Sequence, residues 1–223
     1  RQMCIRDRFS WQQIFFFCSL ASMVFGSFGA LAQVKIKRLL AFSSIGHVGY
    51  MLIGLATGSL QGLQGIFLYL LIYLVMTINA FSVVLSLRTR EGEPRFLLDL
   101  KNLNLKSPIL ALTFSLTLFS MAGIPPLAGF LSKFYLFFAA LDASLYSLAI
   151  LGVLSSVISC FYYISIIKLM YFHKAEEVQL KPLVGIDGQK GFLLGITFFG
   201  ILFIFLYPSP FFLLSHAAAL SFS

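Results

Sequence analysis

Ala122-Gly123-Ile124-Pro125-Pro126-Leu127-Ala128-Gly129-Phe130-Leu131-Ser132-Lys133-Phe134 lies inside an apolar stretch covering positions 108–141. A continuous helix over those 34 residues would be about 51 Å long, well beyond the roughly 30 Å of hydrocarbon in a bilayer. Near the middle, Pro125 and Pro126 remove two amide donors, and their rings clash with the preceding turn. The stretch predicts a membrane helix broken at Gly123, Pro125 and Pro126. Backbone groups freed at membrane depth are tolerated only where protein or a water-filled cavity covers them. A break there points to a polar interior.

The rest of the chain fits that setting. Of 223 residues, 59% are hydrophobic, 16% aromatic and 11% charged, and mean hydropathy is +0.94. That balance leaves no polar skin for a water-soluble core. Charged or Gly/Pro-rich breaks divide the chain into six candidate spans at 9–33, 39–57, 63–87, 108–141, 145–172 and 191–216. The class is therefore an all-α integral membrane protein with about six transmembrane helices, the fourth discontinuous. Arg1, Arg6 and Arg8, an apolar run and Ala30-Leu31-Ala32 imitate a secretory signal with an A-x-A cleavage site. The run is long for a signal, so it reads as the first span, preceded by an unassigned basic head at 1–8.

Sixteen Lys and Arg against eight Asp and Glu give a formal net charge of +8. In so apolar a chain this excess reads as topology-setting loop charge, and nucleic-acid binding is not supported. With six crossings, twelve basic residues fall on one side: Lys35, Lys37, Arg38, Arg88, Arg90, Arg95, Lys101, Lys106, Lys168, Lys174, Lys181 and Lys190. The other side holds Arg1, Arg6 and Arg8. The remaining basic residue, Lys133, sits inside the fourth span.

A lysine near a helix centre costs about 2.5–3.5 kcal/mol on insertion scales. Lys133 lies seven residues beyond Pro126, roughly 10 Å along the second half-helix, away from either headgroup region. An amine held away from water binds its proton less tightly, which suits a proton carrier. The competing reading is a lysine that snorkels to an interface beside Phe130, Phe134, Phe137 and Phe138. His47, in Ser43-Ser44-Ile45-Gly46-His47-Val48-Gly49-Tyr50, carries an imidazole, the side chain whose unperturbed form titrates closest to neutrality. It reads either as a relay or as a hydrogen-bonded packing residue. Gly46, Gly49, Gly54 and Gly58 suit close helix packing. Ser44, Tyr50, Thr77, Asn79, Ser132, Ser155, Ser156, Ser159 and Tyr162 are candidates to line a polar file, and interhelical hydrogen bonding explains them equally well.

Other chemistry finds no support. Cys4, Cys18 and Cys160 are an odd number and form no C-x-x-C, so neither a disulfide framework nor a zinc or iron–sulfur site is indicated. The chain has no G-x-G-x-x-G, P-loop, G-x-S-x-G or H-E-x-x-H. No catalytic residue and no metal ligand is expected. The charged segment 88–100 reads as a solvated connection, with docking to a neighbouring subunit as the alternative.

Two motifs carry a specific resemblance. Gln33-Val34-Lys35-Ile36-Lys37-Arg38-Leu39-Leu40-Ala41-Phe42-Ser43-Ser44-Ile45-Gly46-His47-Val48-Gly49-Tyr50 and the Ala122–Phe134 stretch resemble the antiporter-like membrane subunits of respiratory complex I, the NADH:ubiquinone oxidoreductase. Within that family the chain is most similar to the subunit 2 branch. Ser159-Cys160-Phe161-Tyr162-Tyr163 and Leu206-Tyr207-Pro208-Ser209-Pro210 extend the resemblance to the C-terminus. It implies fourteen transmembrane helices with two inverted five-helix repeats, each with a discontinuous helix. These residues resemble the second repeat, at 9–172, followed by a matrix loop at 173–190 and a closing helix and tail at 191–223. Lys133 falls on the family's lysine and His47 on its relay histidine, the pair carrying protons through the outward half of one path.

The resemblance also implies partners. Flavin, iron–sulfur clusters and quinone belong to other subunits, and this chain carries no cofactor. It would sit in the lipid bilayer of the mitochondrial inner membrane against other membrane-arm subunits. A separate chain would supply the first-repeat helices, which have no counterpart in these residues. Without them, Lys133, His47 and the backbone at the break are expected to face lipid. A free-standing cation/proton antiporter and a structural remnant with no active path are the alternatives. The run from Ser132 to Leu141 and the Tyr207-Pro208-Ser209-Pro210 ending look more like plant, algal or protist mitochondria than plastids or bacteria.

The twelve-to-three asymmetry of loop charge predicts that 34–38, 88–107 and 173–190 face the matrix, with both termini in the intermembrane space. A cysteine placed in the 88–107 loop should react with an impermeant thiol reagent only from the matrix side. Labelling from the opposite side would reverse the topology.

Overall fold

Residues 2–87, 96–172 and 188–222 are described by the structure, a computed structural model. In chain order the helices are α1 (Gln2–Leu31), α2 (Ile36–Thr57), α3 (Leu60–Ser86), α4 (Leu103–Lys106), α5 (Pro108–Ala122), α6 (Ala128–Asp142), α7 (Tyr146–Tyr171), α8 (Gly188–Leu206) and α9 (Ser209–Phe222), with a 3-10 turn at Leu97–Leu100 before α4. Five of them, α1, α2, α3, α7 and α8, are long and apolar enough to cross a membrane. The fourth expected span is the pair α5 and α6, interrupted at 123–127 as the prolines predict.

Local chemistry sets the helix ends. Ser59 caps α3, its hydroxyl accepting from the Gly62 amide at 3.0 Å. Pro108 opens α5 at a position where no amide donor is needed. Gly123 closes α5 with a φ of 88°, a left-handed conformation that a side chain would oppose. Of the glycines read as packing sites, Gly49 and Gly54 do press on neighbouring helices, whereas Gly58 ends α2 at φ 60°.

Three expectations need correction. The helical backbone of α1 begins at Gln2, so most of the supposed separate head continues the first helix; Arg1 lies outside the described residues. The closing span stops at Leu206, and 191–216 is not one helix. Pro208 has no amide to give and disfavours helical geometry at Tyr207, and its carbonyl instead accepts from Phe211 and Phe212, both at 3.1 Å, to start α9. The connection after α3 is not simply solvated in its described part. Leu100 and Leu103 are buried, and the Leu97 amide donates to the Val34 carbonyl at 2.9 Å beside a Lys35–Phe96 bridge. Residues 88–95 and 173–187, with most of both charged loops, lie outside the described residues.

The central element is α3, which touches α2, α5, α6, α8 and α9. One buried cluster joins Met76 and Val83 of α3 to Phe114 and Leu118 of α5 and Tyr163 of α7; a second joins Tyr50, Tyr69, Leu136 and Leu148. Large apolar side chains such as Phe17, Phe28, Phe161 and Phe199 cover the outside, as a bilayer solvent requires. Inside, Asn79 ties three helices together. Its amide donates to Thr197 of α8 at 2.8 Å, and its carbonyl accepts from Thr117 of α5 at 3.0 Å.

Half-helices α5 and α6 meet backbone to backbone, since a Cβ built at Gly129 would collide with the Ser120 carbonyl. Overpacking of this kind costs about 1–3 kcal/mol, whereas an interhelical hydrogen bond in a membrane averages only about 0.6 kcal/mol. Thr117 and Thr197 would also keep their bonds to the carbonyls of their own helices. Thermal unfolding in detergent should therefore show Gly129→Ala to be more damaging than Asn79→Leu, and the reverse order would contradict the close approach.

Candidate functional site

The break determines the position of Lys133. In an α-helix the carbonyl of residue i accepts from the amide of i+4. The carbonyls of Met121 and Ala122 would need the amides of residues 125 and 126, and both are prolines. Gly123 and Ile124 donate further back, to Phe119 and Ser120. The two orphaned carbonyls are taken up by Lys133, whose Nζ donates to Met121 at 3.0 Å and to Ala122 at 2.9 Å. An ammonium there also meets the negative end of the α5 dipole.

The exchange runs the other way too. At the start of α6 the Gly129 amide donates to the Ser120 hydroxyl of α5 at 3.1 Å. Each half-helix thus caps the other, as helix ends removed from water require. Lys133 is 5% exposed, its stem crosses the face of Gly123, and Nζ stands over the Tyr50 ring at 4.9 Å from its centroid. Lys133 therefore turns inward, and the snorkelling reading does not hold.

His47 is also enclosed, at 3% exposure. Its Nδ1 shares a hydrogen bond with the Tyr69 hydroxyl at 2.7 Å, and its Nε2 lies 3.3 Å from the Tyr163 hydroxyl, which is in turn bonded to Ser43. Each of these hydroxyls and the neutral imidazole can both donate and accept a hydrogen bond. Tyr50 adjoins it, its ring 6.3 Å from the imidazole in an edge arrangement and its hydroxyl 2.9 Å from Ser155. Lys133 and His47 are not bonded to each other, but both approach Tyr50.

The other expected lining residues divide. Tyr162 packs against Tyr163 with ring centroids 4.4 Å apart and planes tilted by 53°, and Ser159 is buried on α7 with its hydroxyl on the Ser155 carbonyl. Ser44, Ser156 and Thr77 bond to carbonyls of their own helices and are not fully buried. Ser132 is buried but bonds to Gly129, and Asn79 belongs to the separate Thr117–Thr197 link. The sequence does not mark Tyr69 and Tyr163 as site residues, because they sit in apolar runs where a tyrosine reads as membrane filler. The spacing of Tyr69 and Tyr73, four residues apart on α3, was the available signal.

The expected exposure to lipid is overturned for Lys133 and His47, but not for the break itself, where Gly123 and Ile124 are half-buried and Pro125 and Pro126 are exposed. Helices α2, α3, α6 and α7 enclose Lys133 and His47 within these residues, with tyrosine hydroxyls meeting the imidazole and half-helix carbonyls meeting the amine. Additional helices are not needed to bury either group.

Comparisons with known proteins identify the family and the fold. The family model described as NADH:quinone oxidoreductase/Mrp antiporter, transmembrane, matches residues 2–159. A curated relative from Marchantia polymorpha, NADH-ubiquinone oxidoreductase chain 2, is 55% identical over 95% of this chain and 42% of its own length. A bacterial one from Parvibaculum lavamentivorans, NADH-quinone oxidoreductase subunit N, is 46% identical over 93% of this chain and 42% of its own. The chain thus spans about two fifths of the curated relatives it matches. Among solved structures, respiratory complex I from Thermus thermophilus with bound aureothin contains a similar chain, with a TM-score of 0.76 and 32% identity over 88% of this chain and 44% of that one. The Mrp complex from Dietzia sp. gives a TM-score of 0.81 at 22% identity, covering 94% of this chain and 47% of that one, a likeness of fold.

Proposed function

The chain belongs to the NADH:quinone oxidoreductase/Mrp antiporter family of membrane proteins, and on that premise we propose that it forms the proton-carrying second repeat of a complex I membrane-arm subunit. Lys133 and His47 carry the outward half of one proton path. The chain does no redox chemistry; flavin, iron–sulfur clusters and quinone lie in other subunits, whose reaction drives the path. The helices of the first repeat come from polypeptide outside these residues and pack alongside in the mitochondrial inner membrane, with the basic loops in the matrix. The mitochondrial assignment rests on the relatives named chain 2 from plants, including one 52% identical from Arabidopsis thaliana.

The observation that carries this reading is a lysine, 5% exposed, lodged in the gap of a broken membrane helix. Helix breaks inside a bilayer are found where ions or protons are handled, and an intramembrane lysine is expensive to keep without a use. Protons reach Lys133 from the His47 side and leave outward along α6, with water completing the gaps. A second reading has support from the same bonds: Lys133 would be only a cap for α5, in a subunit whose path is dead.

Arginine separates the two. Lys133→Arg keeps a cation that can bond both carbonyls, but a guanidinium does not release its proton under working conditions. Coupled proton translocation per assembled complex should fall by about tenfold or more, while complex abundance stays close to wild type. Wild-type ratios of protons moved to NADH oxidised in that variant would establish the cap alone. His47→Ala should give a smaller loss, because water can replace one relay.

A further inference from the structure

We infer that Tyr50 is a positioning residue for Lys133: its ring face completes the ammonium seat and holds the charged amine beside the His47 network. This rests on the proton-path reading above and adds to it the group that fixes where the charge waits. A lysine ammonium has three donors. Two are spent on the carbonyls of Met121 and Ala122, which Pro125 and Pro126 leave without amides. Among the described residues no third oxygen accepts from Nζ; the Tyr50 ring stands instead at 4.9 Å, inside the range over which an aromatic face attracts a cation.

The ring is built to stay there. Its hydroxyl is held by Ser155 at 2.9 Å and lies 3.5 Å from the Gly152 carbonyl, its plane packs edge-on against Phe137, and the residue is 3% exposed. A ring so anchored cannot turn its face away without breaking those contacts. It also discriminates between forms of the amine. An ammonium presents an N–H to the electron-rich face and is attracted, whereas a neutral amine offering its lone pair there is not. The seat therefore favours the loaded carrier, and an unloaded amine is free to turn from the ring. His47 approaches the same ring from α2, one turn of helix away at position i−3, so both ends of the transfer are registered against one fixed group.

The test compares Tyr50→Phe, which keeps the ring, with Tyr50→Leu, which removes it, in the assembled complex. At matched amounts of complex, Tyr50→Leu should lower coupled proton translocation by between about twofold and thirtyfold, the span from an exposed to a desolvated cation–ring contact, and Tyr50→Phe should recover most of the loss. Loss of the same size in both variants would assign the effect to the hydroxyl and overturn the inference, as would wild-type translocation in Tyr50→Leu. If Lys133→Arg is impaired while Tyr50→Leu is not, the ring seat fails and the proton path stands; if Lys133→Arg pumps normally, the path itself fails. Should Tyr50→Leu not assemble, Tyr50→Met takes its place. An experimental map of the wild-type complex gives an independent check: Nζ beyond about 6 Å from the ring centroid would overturn the inference whatever the variants do.

Discussion

A bilayer offers no water to a helix end, and the two consecutive prolines at 125 and 126 create two such ends in the middle of the chain. Their missing amides strand two carbonyls of α5, and the first turn of α6 begins with amides that have no partner behind them. The lysine of one half and the serine of the other meet these needs. The position of Lys133 is thus a consequence of backbone hydrogen-bond accounting before it is a matter of function. The same accounting explains why Gly123 and Gly129 stand where they do, since a side chain at either would press on the groups that make the exchange.

Around that break, α3 organises the rest. On its length, Tyr69 reaches His47 of α2, Asn79 reaches α5 and α8, and Gln64 accepts from Tyr135 of α6 at 2.9 Å while donating to the Phe212 carbonyl of α9 at 3.4 Å. Polar groups on this one helix therefore touch both half-helices and His47. In a medium where apolar contact gives little drive for helices to associate, such bonds and the close glycine contacts fix which helices are neighbours.

Much of this was legible in the sequence, for reasons that differ by element. The broken helix could be read because proline acts on its own backbone, and Lys133 because a cation in an apolar run is conspicuous. Tyr69 and Tyr163 could not, because a tyrosine among leucines and phenylalanines carries no mark of where its hydroxyl points. The end of α8 at Leu206 falls short of the expected span because apolar residues continue beyond Pro210, while Pro208 stops the helix through its own backbone. The enclosure of Lys133 and His47 was misjudged for a further reason: periodicity says which face of a helix is polar but not which helices will cover it.

The string Ser43, Tyr163, His47 and Tyr69 has a property that none of its members has alone. When a proton hops along hydroxyls and an imidazole, each group hands on a different hydrogen from the one it receives, so every bond in the string ends up pointing backwards and the imidazole emerges as its other tautomer. A second proton cannot follow until the whole string has swung round. On the proposed path such a string would keep a memory of its last use, and the time the rings and hydroxyls need to turn back, inside a packed interior, would set a refractory interval between one proton and the next.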